Sequence, residues 1–171
     1  PLSEGKESNG HARAYYGNSP VSRQSNLIIE SSNSKSEESL RKMLIKECKK
    51  QDKAFGYYIK QVSGGYTMTD RFRPNAFSIA PTEVYKIYVD GRPDEIVRGV
   101  DLIGTPLTMF SEIRATGEDI ETFFGYCGAE SGYIPVTATS PSLFVRKIET
   151  QKKLESNVEQ PILEEPNNFN K

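Results

Sequence analysis

Chemistry in this chain centres on Cys127-Gly128-Ala129-Glu130-Ser131-Gly132-Tyr133-Ile134-Pro135-Val136, followed by Ser140-Pro141-Ser142-Leu143-Phe144-Val145. A cysteine in a Gly-flanked loop, ahead of two β-like runs, is a candidate thiolate ligand for a metal. The single histidine, His11, lies far away in a polar segment. A closed zinc site uses four protein ligands and a catalytic one uses three plus water. One cysteine makes neither, so any metal chemistry at Cys127 needs ligands that this sequence does not contain. On the residues alone, a small side chain in a turn is the better explanation of Cys127.

Other chemistries find little support. No Gly-x-Ser-x-Gly elbow is present, and no second histidine stands ready to activate Cys127 as a nucleophile. P-loop and dinucleotide-binding fingerprints are also missing. Gly64-Gly65 is a possible point of backbone approach for a bound peptide, although a turn needing positive φ accounts for such a pair. Glu118, Asp119 and Glu121, just before the Cys127 loop, read either as outer partners of a metal ligand or as a solvated loop. Arg71, Arg73 and the helix-end lysines read as solvated surface, and His11 as exposed.

Composition narrows the classes further. The 171 residues carry 22 Lys and Arg against 23 Asp and Glu, for a net charge of −1. That balance disfavours nonspecific nucleic-acid binding. No apolar run approaches the ~20 residues of a membrane span. The first residues, Pro1 to Lys6, do not form a signal peptide. Two cysteines, Cys48 and Cys127, do not build a disulfide framework, so a reducing, cytoplasmic setting is expected.

The elements that must position Cys127 follow from local patterns. Residues 1–24 read as an irregular lead-in, 25–150 as one domain, and 151–171 as a mobile tail. Asn26 to Glu30 is a strand candidate. Ser34 to Lys50 is predicted as a helix, with Ser34 to Glu37 as a capping box and Leu40, Met43, Leu44 and Cys48 as its apolar stripe. Glu37–Arg41 and Glu38–Lys42 are spaced as i,i+4 pairs. Phe55, Tyr57 and Ile59 alternate as a strand, which Gly64-Gly65 should end at a turn. Ala76 to Ile79 is a short strand, and Val84–Val89 pairs with Glu95–Val100 across Asp90-Gly91-Arg92-Pro93. Thr105-Pro106 opens a second helix, with Leu107, Phe110 and Ile113 on its buried side. Ile134–Val136 and Leu143–Ile148 complete the β content. The result is an α+β fold, a mostly antiparallel sheet or partly closed barrel with about two helices.

Several of these segments occur in an order that resembles the C-terminal domain of the TldD/PmbA metallopeptidases, once described as modulators of DNA gyrase. They are Asn9-Gly10, Pro20 to Asn26, an amphipathic helix, Gly56 to Gly65, Arg98-Gly99-Val100-Asp101-Leu102-Ile103-Gly104, and the Cys127 block. The resemblance spans residues 9–150, and it is weakest over Met68 to Pro81. It implies a zinc peptidase that cleaves unfolded or leader peptides and works as a homo- or heterodimer. A His-Glu-x-x-x-His helix in an upstream domain would supply two ligands and the general base, and Cys127 would complete the zinc site. The fragment alone is then expected to be inactive. A metal-free, noncatalytic partner subunit of the same family is the other reading.

Overall fold

The structure, a computed structural model, describes residues 5, 7, 10–68 and 72–153. Its elements run in the order β1 (Ala12–Arg13), β2 (Val21–Ser22), β3 (Asn26–Ile28), β4 (Ser34–Lys35), α1 (Glu37–Lys50), β5 (Phe55–Met68) and β6 (Ala76–Tyr88). They continue with β7 (Glu95–Val97), β8 (Val100–Gly104), α2 (Pro106–Ser111), β9 (Ile113–Ala129), β10 (Gly132–Val145) and β11 (Glu149–Lys152). The chain is α+β, with mostly antiparallel pairing and no closed barrel.

Two long hairpins dominate. In the first, β5 pairs with β6, and β8 and β11 extend the sheet in the order β11-β8-β6-β5, with β7 also on β6. In the second, β9 pairs with β10, flanked by the short parallel strands β4 and β3 in the order β3-β10-β9-β4. A separate two-stranded ribbon of β1 and β2 forms within the lead-in. No described helix is long and apolar enough to cross a membrane.

Helix α1 joins the two hairpins, with contacts to β5, β9 and β10. Its N-cap is Ser36, whose Oγ accepts from the Ser39 N–H at 3.4 Å. The cap therefore sits two residues beyond the Ser34 expected from sequence, because Ser34 and Lys35 are already used as a strand beside Thr116 and Gly117. The apolar stripe is as expected, with Cys48 buried and Leu40, Met43 and Leu44 half-buried. Glu38 and Lys42 pair at 2.6 Å. Arg41 turns away from Glu37 to make two bonds with Asp94, at 2.8 and 2.5 Å. The helix meets β5 at Gly56, where an added Cβ would lie 2.6 Å from Leu44 Cδ1 and 2.9 Å from Cys48 Sγ. Burial raises the pKa of the Cys48 thiol, which suits a packed, unreactive side chain.

The first hairpin forms the tighter core. Val84 is 2% exposed and Ile87 1%, and Phe77 and Leu102 are also buried. Cross-strand pairs Phe55–Tyr88 and Tyr58–Tyr85 place rings 5.8 and 6.2 Å apart, which explains the Tyr-rich strands as sheet packing. The hairpin expected across Asp90 to Pro93 forms, with Val84 opposite Val97 and Lys86 opposite Glu95, but its second strand stops at Val97 and Val100 begins β8.

Three local expectations are corrected. Gly64-Gly65 is not a turn: β5 runs on to Met68, and the pair absorbs a bulge between Val62 and Gly64. Gly64 adopts φ 145°, and a Cβ on Gly65 would come 2.3 Å from the Ser78 carbonyl oxygen. The close approach that Gly65 permits is thus to β6. Likewise, β6 and β10 are single strands where shorter pieces were expected at Pro81, Pro135 and Pro141. Finally, α2 starts at Pro106 after Thr105 but buries nothing: Leu107 and Phe110 are exposed, and Ile113 belongs to β9. The lead-in and tail expected at the two ends extend outside the described residues, although β11 carries the described chain to Lys152 on β8.

Candidate functional site

Cys127 lies within β9, opposite Ile134 of β10, three residues before the Glu130-Ser131 turn. A strand, not a loop, therefore holds it. Such a position fixes the backbone through the ladder and aims the side chain at one face. The thiol is free and half-buried. Phe123 and Gly125 precede it on the same face by strand alternation, and a Cβ on Gly125 would meet the Phe123 ring at 2.6 Å. The ring thus leans along the strand toward Cys127. Ile134, 3% exposed, packs across from it.

The tip of this hairpin is clamped by the lead-in. Arg23 is 7% exposed. Its Nη1 donates to Ser131 Oγ at 2.6 Å and to the Gly132 carbonyl at 2.8 Å, while Nη2 donates to the carbonyl of Cys127. Ser131, fully buried, passes the connection on by donating to the Arg13 carbonyl at 3.0 Å. Arg13 donates to the carbonyls of Gln24 and Pro135, both at 2.9 Å. The Tyr15 N–H bonds the Ser131 carbonyl at 2.9 Å, and the Arg23 N–H bonds the His11 carbonyl at 3.0 Å.

Gly132 makes the turn possible. At φ 93° it takes the left-handed conformation at the first residue of β10, just after the Glu130-Ser131 turn. A Cβ there would stand 2.6 Å from Tyr15 Cβ. The Cys127 main chain is therefore fixed from two sides, by β10 and by a buried guanidinium.

Arg23 is unusual in its burial. All its side-chain acceptors are neutral, and its Nε has no partner among the described residues. A buried cation is tolerated when its N–H groups are hydrogen-bonded, and three bonds supply most of that need. Sequence reasoning placed Arg23 and Ser131 inside matching segments without a role. The only local signal was a lone arginine between Val21 and the strand candidate at Asn26.

At the base of the same hairpin, Arg146 donates twice to the Glu112 carboxylate, at 2.6 and 2.7 Å. This bond with Arg146 holds the Glu112 pKa below its usual value. The acidic residues considered as outer partners of Cys127 fall elsewhere. Glu121 is six residues up the strand, roughly 20 Å away, and Asp119 accepts from Ser142 instead.

The residues described here do not complete a metal site: no group of three His, Cys, Asp or Glu side chains gathers among them. What the chain offers is one sulfur on a fixed backbone, facing the same side as Phe123. That suits a single ligand in a set completed by other residues, not a whole site.

Residues 3–152 match the family model described as the PmbA/TldA metallopeptidase C-terminal domain. The chain belongs to this family. A protein named metalloprotease from Methanothermobacter thermautotrophicus is 27% identical to this PmbA/TldD-type domain over 142 residues, covering 83% of the chain and 28% of the relative. A second metalloprotease, from Methanocaldococcus jannaschii, is 28% identical over 130 residues, covering 76% of the chain and 26% of the relative. The PmbA/TldD domain described here thus spans about a quarter of the length of the relatives it matches.

Proposed function

We propose that this domain serves a zinc-dependent peptidase of the PmbA/TldD family by presenting Cys127 as a metal ligand and a sheet edge as a peptide-docking surface. The observation that carries the reading is the backbone clamp on Cys127. A buried arginine, a turn glycine and the β10 ladder all fix the strand that bears the one free, half-exposed thiol on β9. A thiol needed only as turn filler would not require a strand held on both sides. Zinc, with its remaining ligands drawn from the preceding region of the full-length protein, would polarise the scissile carbonyl and lower the pKa of its bound water.

The chain's own contribution is positional. Arg23 and the ladder hold Cys127 in place, which lowers the entropy lost when the sulfur joins a ligand set. The outer edge of β9 is paired with β4 only at Thr116 and Gly117, which leaves the strand from Glu118 to Gly128 open among the described residues. An extended, unfolded peptide adds to such an edge through main-chain bonds, with little dependence on its sequence. It would run toward Cys127. Both Gly125 and Gly128 lie on this stretch.

Hydrolysis by the full-length protein tests this reading. An unfolded, unlabelled protein such as reduced casein should be cut by the wild type, and cleavage should fall at least about a hundredfold in Cys127→Ser. The 171-residue chain alone should cut nothing. Equal cleavage by wild type and Cys127→Ser would reject a role for the thiol. A full-length protein that folds but never cleaves would favour the noncatalytic partner reading.

A further inference from the structure

Connecting segments ordinarily run over the surface, yet Ser131, in the turn between β9 and β10, is fully buried. The lead-in wraps it. Its carbonyl accepts from the Tyr15 N–H at 2.9 Å. Its hydroxyl works in both directions, accepting from Arg23 Nη1 at 2.6 Å and donating to the Arg13 carbonyl at 3.0 Å. A serine can do both at once, whereas alanine or glycine can do neither. Turn formation alone accepts glycine, so the turn does not account for the hydroxyl.

What the hydroxyl does is aim Arg23. A guanidinium is a rigid plane, so its donors point together. Arg23 Nε has no partner among the described residues, which leaves the plane to be set by the two Nη groups. Nη1 is held by Ser131 Oγ and the Gly132 carbonyl, and Nη2 then meets the carbonyl of Cys127. The bond to Ser131 is the fully buried one of the three, where water weakens a hydrogen bond least. The same hydroxyl ties Arg23 to the β1–β2 ribbon, which belongs to neither main sheet. That ribbon reaches the second hairpin through Arg13 on Pro135 and Tyr15 on Ser131.

We propose that Ser131 is a positioning residue of the metal site, acting through Arg23 on the Cys127 backbone, and that metal binding in turn tightens the lead-in on the hairpin tip. The inference rests on the proposed function, in which the Cys127 sulfur is a metal ligand. A sulfur on a fixed backbone loses less freedom when it joins a ligand set. Coupling of this kind is reciprocal, so the metal stabilises the clamp by the factor that the clamp adds to metal affinity.

The test uses full-length protein loaded with cobalt, because a thiolate bound to cobalt gives a near-ultraviolet charge-transfer band that reports the sulfur–metal bond itself. Wild type is compared with Ser131→Ala, Arg23→Lys and Cys127→Ser, and zinc affinity is measured on the same proteins by chelator competition. The band should be present in wild type and absent in Cys127→Ser. In Ser131→Ala it should weaken per bound cobalt, and the zinc Kd should rise about tenfold. Arg23→Lys, which keeps the charge but not the planar fork, should behave like Ser131→Ala. An unchanged band in Ser131→Ala, with or without weaker zinc binding, overturns the positioning role and leaves the metal reading standing. A wild type without the band overturns both. Hydrogen exchange on unmutated protein gives an independent reading. The Tyr15 and Arg23 amides, bonded to the Ser131 and His11 carbonyls, should exchange about tenfold faster once zinc is stripped, while amides of β6 do not change. Exchange of those two amides that is indifferent to zinc overturns the linkage, whether or not Ser131→Ala folds.

Discussion

The two long hairpins are built alike and used differently. The β5–β6 hairpin has strands of 14 and 13 residues and the β9–β10 hairpin of 17 and 14. The first buries Phe77, Val84 and Ile87, and helix α1 packs against its strand β5. The second buries Ala115 and Phe144 near its base, yet beyond Ile120 it leaves aromatic rings exposed on one face and a thiol on the other. Apolar residues in the first stabilise this chain. The exposed ones in the far half of the second, such as Phe124 and Tyr126, contribute little here, whereas Ile134 is buried.

That contrast is sharpest in substitutions. Ile87→Ala empties a fully enclosed site and should cost about 2–5 kcal/mol in urea unfolding. Arg23→Ala removes three hydrogen bonds, one of them fully buried, from the hairpin tip, with an expected loss of about 2–3 kcal/mol. It should also speed amide exchange at Cys127 and Gly132, whereas exchange in β6 stays slow; uniform loss of protection would show that the tip is not a separate unit. Gly56→Ala drives a methyl into Leu44 and Cys48, and overpacking of this kind costs about 1–3 kcal/mol. Phe124→Ser should change the stability of the 171-residue chain by less than about 0.5 kcal/mol. A loss as large as that at Ile87 would erase the distinction between the hairpins.

The smallest effect concerns the base of the second hairpin. The folded-state pKa of Glu112 is lowered by Arg146, so its contribution is present above the ordinary carboxylate pKa of 4.5 and is lost as pH falls below it. Wild type should therefore lose stability more steeply than Glu112→Gln on titration from pH 5 toward pH 3. Parallel curves would mean that the Arg146 pair is screened by solvent.

Sequence patterns were legible where a local rule and the tertiary structure agree. The stripe of Leu40, Met43, Leu44 and Cys48 follows helical periodicity and packs as periodicity demands. Asp90 to Pro93 supplies turn residues and a turn forms. Thr105-Pro106 marks a helix start, although the exposed Leu107 and Phe110 show that composition does not say which side is covered. Breakers misled where the fold accommodates them. Gly64 and Pro141 sit at bulges, and Pro135 lies just outside the three residues that β3 covers, so none of them interrupts the ladder with the long partner strand. Ser36 took the capping role because β4 had claimed Ser34.

The site was half legible for a related reason. Cys127 stood out as the one chemically suggestive residue, but the loop expected around it is a strand. Its clamp was hidden because Arg23 and Ser131 lie 108 positions apart, and no periodic pattern links residues joined only by a hydrogen bond.

The central claim is that Cys127 is one ligand of a metal held jointly with the rest of the protein. Elemental analysis of gel-filtered full-length protein, wild type beside Cys127→Ser, addresses it directly. About one zinc per chain in the wild type, with most of it lost in the folded variant, is the predicted result. Equal zinc in both proteins would contradict the claim and leave Cys127 as a strand residue with no part in the metal site.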